Sequence, residues 1–440
     1  MRRECSRRQF ISATVVASVA IGAGCSSDSP ESDGANTTDP TAAAATDATQ
    51  ASSADNTQTE TSTAASSSDT NRTQSTSAET TNRKSGDTAS WPMAFSDAGH
   101  TNSGGSVSGP KNGFEKQWAE GSIMEQNHPA VLANGKIYYG SISGVFARNL
   151  SDGTEAWSRD IQGNGSPVIT DSSAIFPLGN EMISLDASTG ERNWIYEPES
   201  GNVDSEVVLT LVDGLTFLPA TTTSEAFLYA VDTETGEPQW TFKKELSTAG
   251  GNIGSQVSDG ENLYFYFEGT FYALGVSSGN EKWKTDLNYA APVLDSDQIY
   301  LSGTDLETDE SIVKAISTAD GSSIWTHTTE APKRPNIVPA SDGNAIYTPT
   351  SDGIGALNAN DGSELWNYKL VEQLSASPTV ADGVVYAAES NGRIHALAAD
   401  SGDQMATEEF EDMGGTQTAA IGSNNTLYIP SEGGIYALSE

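Results

Sequence analysis

Short runs of alternating apolar and polar residues, separated by turn dipeptides, fill the chain from about residue 111 to its C terminus. In the stretch "SPTVADGVVYAAESNGRIHAL", Asp-Gly and Asn-Gly divide three such runs, Ser377–Val380, Val384–Ala388 and Arg393–Leu397. These dipeptides favour hairpin turns because they adopt positive φ at low cost. No amphipathic segment of helical length lies between the runs. The pattern therefore predicts antiparallel sheets and disfavours a parallel sheet.

Each group of runs ends in a motif: a small residue, a glycine six positions later, and a tryptophan four positions after the glycine. The seven copies are Ala147…Gly153…Trp157, Ser184…Gly190…Trp194, Ala230…Gly236…Trp240, Ala273…Gly279…Trp283, Ala315…Gly321…Trp325, Ala356…Gly362…Trp366 and Ala396…Gly402…Ala406. In the last copy an alanine replaces the tryptophan. From Trp118 to Ala406 the successive intervals are 39, 37, 46, 43, 42, 41 and 40 residues. This fixed period indicates a repeat architecture.

One repeat holds three strand-like runs and a fourth that begins at the tryptophan. Four antiparallel strands of about five residues make one blade of a β-propeller. The motif glycine is expected in the turn between the third and fourth strands, where positive φ is needed. The tryptophan ring is expected to cover the junction between two blades, with its indole N–H hydrogen-bonded. The residues given this structural docking role are Trp118, Trp157, Trp194, Trp240, Trp283, Trp325 and Trp366.

The two ends of the chain indicate how the ring closes. The last residues, Ile435–Glu440, stop just inside an eighth copy, and Trp118 has no strands of its own before it. We expect the Trp118 strand to complete the last blade, which removes two open sheet edges. The predicted fold is all-β: an eight-bladed propeller of four-stranded antiparallel blades, closed by pairing of the N- and C-terminal strands. The junction beside Ala406 is expected to be the loosest.

The Ala-x-Asp-x-x-x-Gly-x-x-x-Trp motif resembles the tryptophan-docking motif of quinoprotein (PQQ-dependent) alcohol dehydrogenases over roughly residues 111–440. The stretch "WPMAFSDAGHTN" at Trp91–Asn102 is similar to the segment that precedes such propellers. The same fold occurs without cofactor in the propeller lipoprotein of the bacterial outer-membrane β-barrel assembly machinery. The WD-repeat family fits less well, since the Trp-Asp blade ending is absent. Fold alone does not decide between these functions.

The charge of the chain is strongly negative. Its formal net charge is −38, and the part after residue 90 holds 49 acidic and 15 basic residues. Such a field disfavours nucleic acid and anionic lipid as partners. Extreme acidity with few lysines is also typical of proteins dissolved in molar salt, where charge repulsion is screened over short distances. The composition predicts a halophilic source; an acidic binding surface is the alternative.

The first 90 residues carry targeting signals and a tether. The sequence Ser6–Ile11, with Arg7 and Arg8, resembles a twin-arginine (Tat) signal, and the apolar segment that follows is too short to span a bilayer. Cys25 resembles a lipobox cysteine that is acylated after cleavage, although Gly22 stands where an aliphatic residue is usual. Residues 26–90 are rich in Ser, Thr, Ala and Asp and cannot bury a core. The predicted organisation is a signal peptide (1–25), a disordered tether (26–90) and a propeller (91–440).

The residues give little support for catalysis. The only cysteines are Cys5 and Cys25, so a processed, lipidated chain has no disulfide or thiolate site. The adjacent cysteine pair that many quinoproteins press against the quinone cannot form, and no Ca²⁺ or base residue of that family can be matched. The four histidines show no HxxxH spacing. We expect His395 to be packed in a strand and Ser341–Asn344 to form a hairpin turn. No metal site is predicted.

Short polar connections before each innermost strand are the best candidates for binding, because connections from all blades converge at one end of the central channel. The candidate ligand residues are Asn127, His128, Asn164, Asn252, Tyr289, Lys333, Arg334 and Asn336. Lys333-Arg334 stands out in so acidic a chain and could bind a carboxylate. The alternative is that this pair only neutralises neighbouring acids.

Three functions remain open on the sequence. The first is a non-enzymatic scaffold that binds a protein or envelope component, exported by the Tat route and lipid-anchored on the outer face of the cell membrane. It needs no cofactor. The second is a quinoprotein-like oxidoreductase, which the resemblance would supply with PQQ and Ca²⁺. The third is a component of an envelope assembly or secretion complex.

Overall fold

A computed structural model of the protein describes residues 92–105, 107–120, 129–163, 165–203, 207–247, 251–287, 289–304, 308, 310–329, 337–416, 421–423 and 425–440. The predicted signal peptide and tether lie outside these residues. The described residues form 35 β-strands and no helix. Accordingly, among them no helix is long and apolar enough to cross a membrane.

The strands of the first four blades follow the predicted order. Blade 1 holds Val131–Ala133 (β2), Lys136–Ser141 (β3), Gly144–Asn149 (β4) and Glu155–Arg159 (β5); blade 2 holds Gly165–Ser166 (β6), Val168–Ile169 (β7), Ser173–Pro177 (β8), Met182–Asp186 (β9) and Arg192–Tyr196 (β10); blade 3 holds Asn202–Val203 (β11), Val207–Val208 (β12), Thr210–Val212 (β13), Leu215–Thr221 (β14), Glu225–Asp232 (β15) and Pro238–Glu245 (β16); blade 4 holds Val257–Ser258 (β17), Asn262–Phe267 (β18), Thr270–Gly275 (β19) and Glu281–Asp286 (β20).

The other four blades repeat the pattern. Blade 5 holds Tyr289–Asp295 (β21), Gln298–Thr304 (β22), Ser311–Ser317 (β23) and Ser323–Thr329 (β24); blade 6 holds Ala340–Ser341 (β25), Ala345–Pro349 (β26), Gly353–Asn358 (β27) and Glu364–Lys369 (β28); blade 7 holds Thr379–Ala381 (β29), Val384–Ala388 (β30), Arg393–Ala398 (β31) and Gln404–Glu409 (β32); blade 8 holds Ile421–Ser423 (β33), Thr426–Ser431 (β34), Gly434–Ser439 (β35) and Glu115–Glu120 (β1).

Within blades 1 to 7 the main strands are joined in sequence order by antiparallel pairing, so each sheet is a meander from the channel to the rim; in blade 8 the order is β33, β34, β35 and β1. Two short parallel-paired strands, β6 and β12, join the inner parts of blades 2 and 3. The structure confirms the eight-bladed propeller of four-stranded antiparallel sheets. The hairpin at Ser341–Asn344 is also present: it lies between β25 and β26, and the Asp342 carboxylate accepts the Asn344 backbone N–H at 2.9 Å.

The motif glycines adopt the conformation that the sequence predicts. All seven have φ between 65° and 76°, the left-handed region that side chains rarely enter. They also lie under the tryptophan of the preceding blade. A Cβ atom at Gly190 would stand 2.7 Å from Cδ2 of Trp157 and one at Gly236 2.7 Å from Cδ2 of Trp194. Glycine is therefore required at this position for two reasons: the positive φ of the backbone and the contact with the tryptophan ring.

Hydrogen bonds fix the tryptophans on these turns. The indole N–H of six of them donates to a carbonyl three residues before the glycine; for Trp157 the acceptor is Ala187 O at 3.1 Å. Trp194 is the exception, because its buried Nε1 has no partner among the described residues.

The hydrophobic core consists of eight buried clusters, and each one combines residues of two consecutive sheets. The cluster between blades 3 and 4 contains Phe217 and Phe265, and the cluster between blades 8 and 1 contains Tyr428 and Tyr139. We call these eight junctions seams and name each by its two blades. Because blade 8 shares a seam with blade 1, the ring has no gap.

Blade 8 takes its outer strand from the other end of the repeat region. Strand β1 pairs antiparallel with β35, with Trp118 opposite Ala437. The side chain of Glu440 accepts the backbone N–H of Lys111 at 2.6 Å and of Asn112 at 3.2 Å. This is the pairing that the sequence predicts for the Trp118 strand.

The expectation of a loose junction beside Ala406 is wrong. Ala406 is only 7% exposed and belongs to a buried cluster with Phe114 and Met413. In the other seams a tryptophan lies on the turn between the third and fourth strands of the next blade. Blade 8 has no such turn, because its fourth strand comes from the N-terminal side. A tryptophan at position 406 would have no turn to cover, and Phe114 belongs to this seam instead.

Candidate functional site

One end of the channel is covered by the segment that precedes the propeller, residues 92–105, which we call the strap. Innermost strands have one unpaired edge, and its N–H groups need acceptors. The strap supplies them. Five backbone N–H groups, all at one structural position in blades 2 and 4 to 7, donate to strap carbonyls: Ile169 to Pro92 (2.7 Å), Ser258 to Ala98 (2.7 Å), Leu294 to Gly99 (2.7 Å), Ser341 to Thr101 (2.8 Å) and Val380 to Asn102 (3.0 Å).

The strap is a compact loop with its own internal bonds. The carboxylate of Asp97 accepts the backbone N–H of Gly99 at 3.0 Å and of Thr101 at 3.1 Å, and the Thr101 hydroxyl at 2.7 Å. Phe95, Ser96, His100 and Asn102 have φ between 51° and 84°, which non-glycine residues adopt only where contacts hold them. Burial, the largest cause, raises the pKa of Asp97.

Two polar side chains of the strap are buried without hydrogen-bond partners among the described residues. His100 and Asn102 are both 0% exposed, and neither ring nitrogen of His100 and neither amide atom of Asn102 is paired. The His100 ring lies 5.2 Å from that of Phe95. Loss of solvent lowers the pKa of His100 to about 3, so it is neutral at physiological pH.

The strap lies at the end of the channel where the innermost strands turn into the second strands. The polar connections predicted to bind a partner precede the innermost strands. They therefore belong to the opposite end of the channel. Asn127, His128, Asn164, Lys333, Arg334 and Asn336 lie outside the described residues. Asn252 is exposed before β17, and Tyr289 begins β21, where its backbone lies opposite Gly303. These two residues belong to neighbouring blades, 4 and 5.

The end of the channel opposite the strap, which we call the second end, holds a buried acid that was not predicted from the sequence. Glu389, 0% exposed, follows the second strand of blade 7. Its carboxylate accepts the backbone N–H of Val371 at 3.1 Å and of Glu372 at 2.9 Å, and it lies 2.8 Å from Nε2 of His395. It thereby holds the connection between blades 6 and 7. His395 is 3% exposed, as predicted for a packed residue, and burial, the largest cause, lowers its pKa.

Glu268 does the same work in blade 4. Its carboxylate accepts the Ser247 backbone N–H at 2.9 Å and the Ser247 hydroxyl at 2.7 Å, which fixes the start of the connection from blade 3. A glutamate at the turn between the second and third strands is the sequence pattern that could have predicted both residues. The carboxylates of Glu268 and Glu389 accept hydrogen bonds from backbone N–H groups. Within the described residues no group of three or more His, Cys, Asp or Glu side chains could hold a metal ion.

Comparison with known proteins decides the family. A family model described as outer membrane protein assembly factor BamB matches residues 143–305 and 309–439. The chain belongs to this family. The resemblance to PQQ-like propellers inferred from the tryptophan motif is thereby confirmed.

Individual relatives are distant. The outer membrane protein assembly factor BamB of Burkholderia pseudomallei is 24% identical over 269 residues, which cover 57% of this chain and 68% of the relative. The crystal structure of BamB from Moraxella catarrhalis has a TM-score of 0.58 at 17% identity and covers 74% of this chain and 99% of that one. A europium-containing methanol dehydrogenase has a TM-score of 0.62 at 11% identity, covering 78% and 89%. The two structures show a shared fold.

Proposed function

We propose that the protein is a non-enzymatic binding propeller of the cell envelope, which holds a protein or another envelope component at the end of the channel opposite the strap. The observation that carries this proposal is the family match, whose relatives are named as assembly factors. The strap selects the end, because it already covers the other one. Connections of all blades converge at the proposed end, an arrangement that suits partner binding.

The N-terminal signals extend the proposal to location. Export by the Tat route and acylation of Cys25 would anchor the chain on the outer face of the membrane, where it could join an assembly or secretion complex. Residues 26–90, about 65 in number, would act as a flexible tether with a root-mean-square span of roughly 45 Å. The partner would then be reached within a few nanometres of the membrane.

Charge restricts the partner. With 49 acidic and 15 basic residues after residue 90, the propeller repels polyanions, which disfavours nucleic acid as a partner. Lys333 and Arg334 are the adjacent basic pair in the proposed binding connections. We propose that these two residues bind a carboxylate or another acidic group of the partner, since arginine forms paired hydrogen bonds with carboxylates.

The test is cross-linking of the intact, full-length protein on native cells at high salt, followed by identification of the captured component. We expect one envelope component to be captured reproducibly and to be lost when Lys333 and Arg334 are both changed to Glu. The matched control is the double change of Lys243 and Lys244 to Glu, an adjacent basic pair on the outer strand β16. Equal capture by both double variants would contradict the assigned contact, and no specific capture by the wild type would overturn the proposal.

A quinoprotein-like oxidoreductase is the second candidate, because methanol dehydrogenase shares the fold. The described residues do not fit a quinone held with Ca²⁺: they offer no cluster of carboxylates for the ion, and the cysteines Cys5 and Cys25 are not adjacent. We derive no reaction step through such a group. A quinone absorbance band and dye-linked alcohol oxidation after addition of PQQ and Ca²⁺ would favour this candidate over the first.

A further inference from the structure

The eight seams can be compared position by position, because the repeat places equivalent residues in each. Two repeat positions are compared, one in each of the two blades that form a seam. One stands two positions after the motif tryptophan (Ala406 in seam 7/8), and the other stands one position before the small residue of the next blade. From seam 1/2 to seam 8/1 these pairs are Arg159–Ile183, Tyr196–Tyr229, Phe242–Tyr272, Thr285–Lys314, His327–Gly355, Tyr368–His395, Glu408–Tyr436 and Glu120–Phe146.

Rings fill this space in several seams. The ring centroids are 5.8 Å apart in Tyr196–Tyr229, 5.5 Å apart in Phe242–Tyr272 and 5.5 Å apart in Tyr368–His395. Such edge-to-face pairs are favourable packing for aromatic rings. In the seam between blades 5 and 6, His327 faces a glycine, Gly355. Only this member of the eight lacks a side chain at the second position.

The missing side chain leaves a cavity of about 240 Å³, which we call the slot. Gly355, Ala356, Leu357 and Trp366 of blade 6 line it. One wall is the outer strand of blade 5, with His327. The other wall is blade 6, with Thr348, Thr350, Glu364 and Asn367. The slot thus lies beside the outer strands of the two blades. Thr350 and Ser351 in its lining follow the second strand of blade 6, as Glu389 follows that of blade 7, so this part of the slot is on the side opposite the strap.

The lining is polar and partly fixed in place. The Thr350 hydroxyl donates to Oδ1 of Asn367 at 3.0 Å, and Nδ2 of Asn367 lies 3.4 Å from an oxygen of Asp352. Thr348 is 4% exposed and also lines the slot. A threonine hydroxyl can donate one hydrogen bond and accept others, so it suits a polar ligand.

We propose that the slot binds a single neutral sugar ring, such as one monosaccharide unit of a glycan. The space is where other seams hold a ring, and it is smaller than the roughly 300–1,000 Å³ typical of sites for larger ligands. Hydroxyls, an amide and a carboxylate offer both donors and acceptors to the hydroxyl groups of a sugar. No lysine or arginine lines the slot among the described residues, and Glu364 does, so an anion is disfavoured.

The proposal is tested with free D-glucose, D-galactose and D-mannose and the full-length protein, by saturation-transfer NMR and by titration. We expect at least one sugar to bind saturably. Gly355→Tyr inserts the side chain found at three equivalent positions and should abolish binding. A Cβ at Gly355 lies 2.8 Å from Cγ2 of Thr350 and 3.1 Å from the Trp366 carbonyl, so Thr350 must turn.

Two further variants distinguish a loss of sugar binding from a loss of folding. Glu364→Leu changes an exposed residue and leaves the backbone of the slot intact; it should weaken binding about ten-fold or more. Lys314→Tyr, the matched control, adds the same side chain at the equivalent position in the preceding seam, between blades 4 and 5, and should leave binding unchanged. Binding of none of the sugars, equal binding by Gly355→Tyr, or binding of an aromatic probe such as indole without any sugar would overturn the proposal. Partner capture at the channel end is a separate result and can fail or succeed independently.

Discussion

The repeated part of the molecule, residues 129–416, and the non-repeated N-terminal part, residues 92–120, are held by different kinds of contact. In the repeated part each tryptophan contacts a glycine in the next blade, so the stabilising contacts are local and recur. The N-terminal part makes contacts that occur once. Strand β1 pairs with β35 more than 300 residues away in sequence, and the strap bonds to the inner strands of five blades. The repeat builds blades, and the non-repeated part makes them a ring.

The closing blade shows why the repeat motif cannot finish the ring. A docked tryptophan needs the turn of the next blade, and blade 8 has no such turn. At that seam the chain has Ala406, with Phe114 from the N-terminal part in the same cluster, while Glu440 binds the backbone at Lys111. The departure from the motif therefore marks the place where the two ends of the propeller meet.

The largest effect is expected when the N-terminal part is removed. Deletion of residues 1–120 takes away the strap and β1, leaves blade 8 with an open edge and should abolish cooperative thermal unfolding. Deletion of residues 1–90 removes only the predicted signal and tether and should leave the melting transition unchanged. If both truncated proteins melted like the full chain, the proposed role of the N-terminal part would be wrong.

Within the repeated part, Trp157→Ala should destabilise the fold by about 3–5 kcal/mol, the usual cost of emptying a buried aromatic site. Trp157 is 6% exposed, covers Gly190 and donates to the Ala187 carbonyl. Ile195→Ala, at an exposed outer-strand position, is the control and should change stability little. Denaturant unfolding measures both. Equal effects would argue against tryptophan docking as the main contact of the seam.

At the seam between blades 7 and 8, the introduction of a tryptophan should also destabilise the fold. Ala406→Trp is expected to cost about 1–3 kcal/mol, because a large side chain is forced into a filled cluster. Combining it with Phe114→Ala should recover part of the loss, since the two positions share one space. Chemical denaturation of the single and double variants tests this. A higher melting temperature for Ala406→Trp alone would show that the seam is open after all.

The strap should make stability depend on pH. The unfolded chain protonates His100 near pH 6.5, whereas the folded chain, in which its pKa is lowered to about 3, does not. Lowering the pH through this window therefore favours unfolding, by up to about 1.4 kcal/mol per pH unit. His100→Phe should flatten the fall in melting temperature between about pH 6 and pH 4. His327→Phe is the control, and parallel curves for wild type and His100→Phe would contradict the prediction.

The smallest effect is expected at the C terminus. Glu440→Ala removes the acceptor for the backbone of Lys111 and Asn112, and should lower the melting temperature slightly, because this residue is exposed. Its hydrogen bonds hold the pKa of Glu440 below the usual value. Glu411→Ala, at another exposed acid, is the control. A large loss of stability in Glu440→Ala would mean that the pairing of β1 with β35 contributes less to ring closure than we expect.

Sequence patterns determined most of the fold because each blade is specified locally. Turn dipeptides, alternating apolar residues and the Gly-to-Trp spacing act over about 40 residues, and seven copies with the start of an eighth leave little freedom in the number of blades. Closure could also be predicted, since Trp118 had no strands of its own. The assigned binding residues could not be judged in this way: a polar connection is compatible with many roles, and of the eight proposed positions only Asn252 and Tyr289 lie in the described residues.

What only the tertiary structure decided were contacts between residues far apart in the chain. No local pattern states that strap carbonyls meet the inner strands of five blades, that Glu389 holds a connection from the blade before it, or that Phe114 shares a cluster with Ala406. The slot is a further case: Gly355 is an ordinary strand glycine in the sequence, and it becomes a cavity only when His327 is placed across from it. The sequence by itself determined the blades and their number. Packing between distant segments decided how the ring closes, where the strap adopts positive φ and where the slot forms.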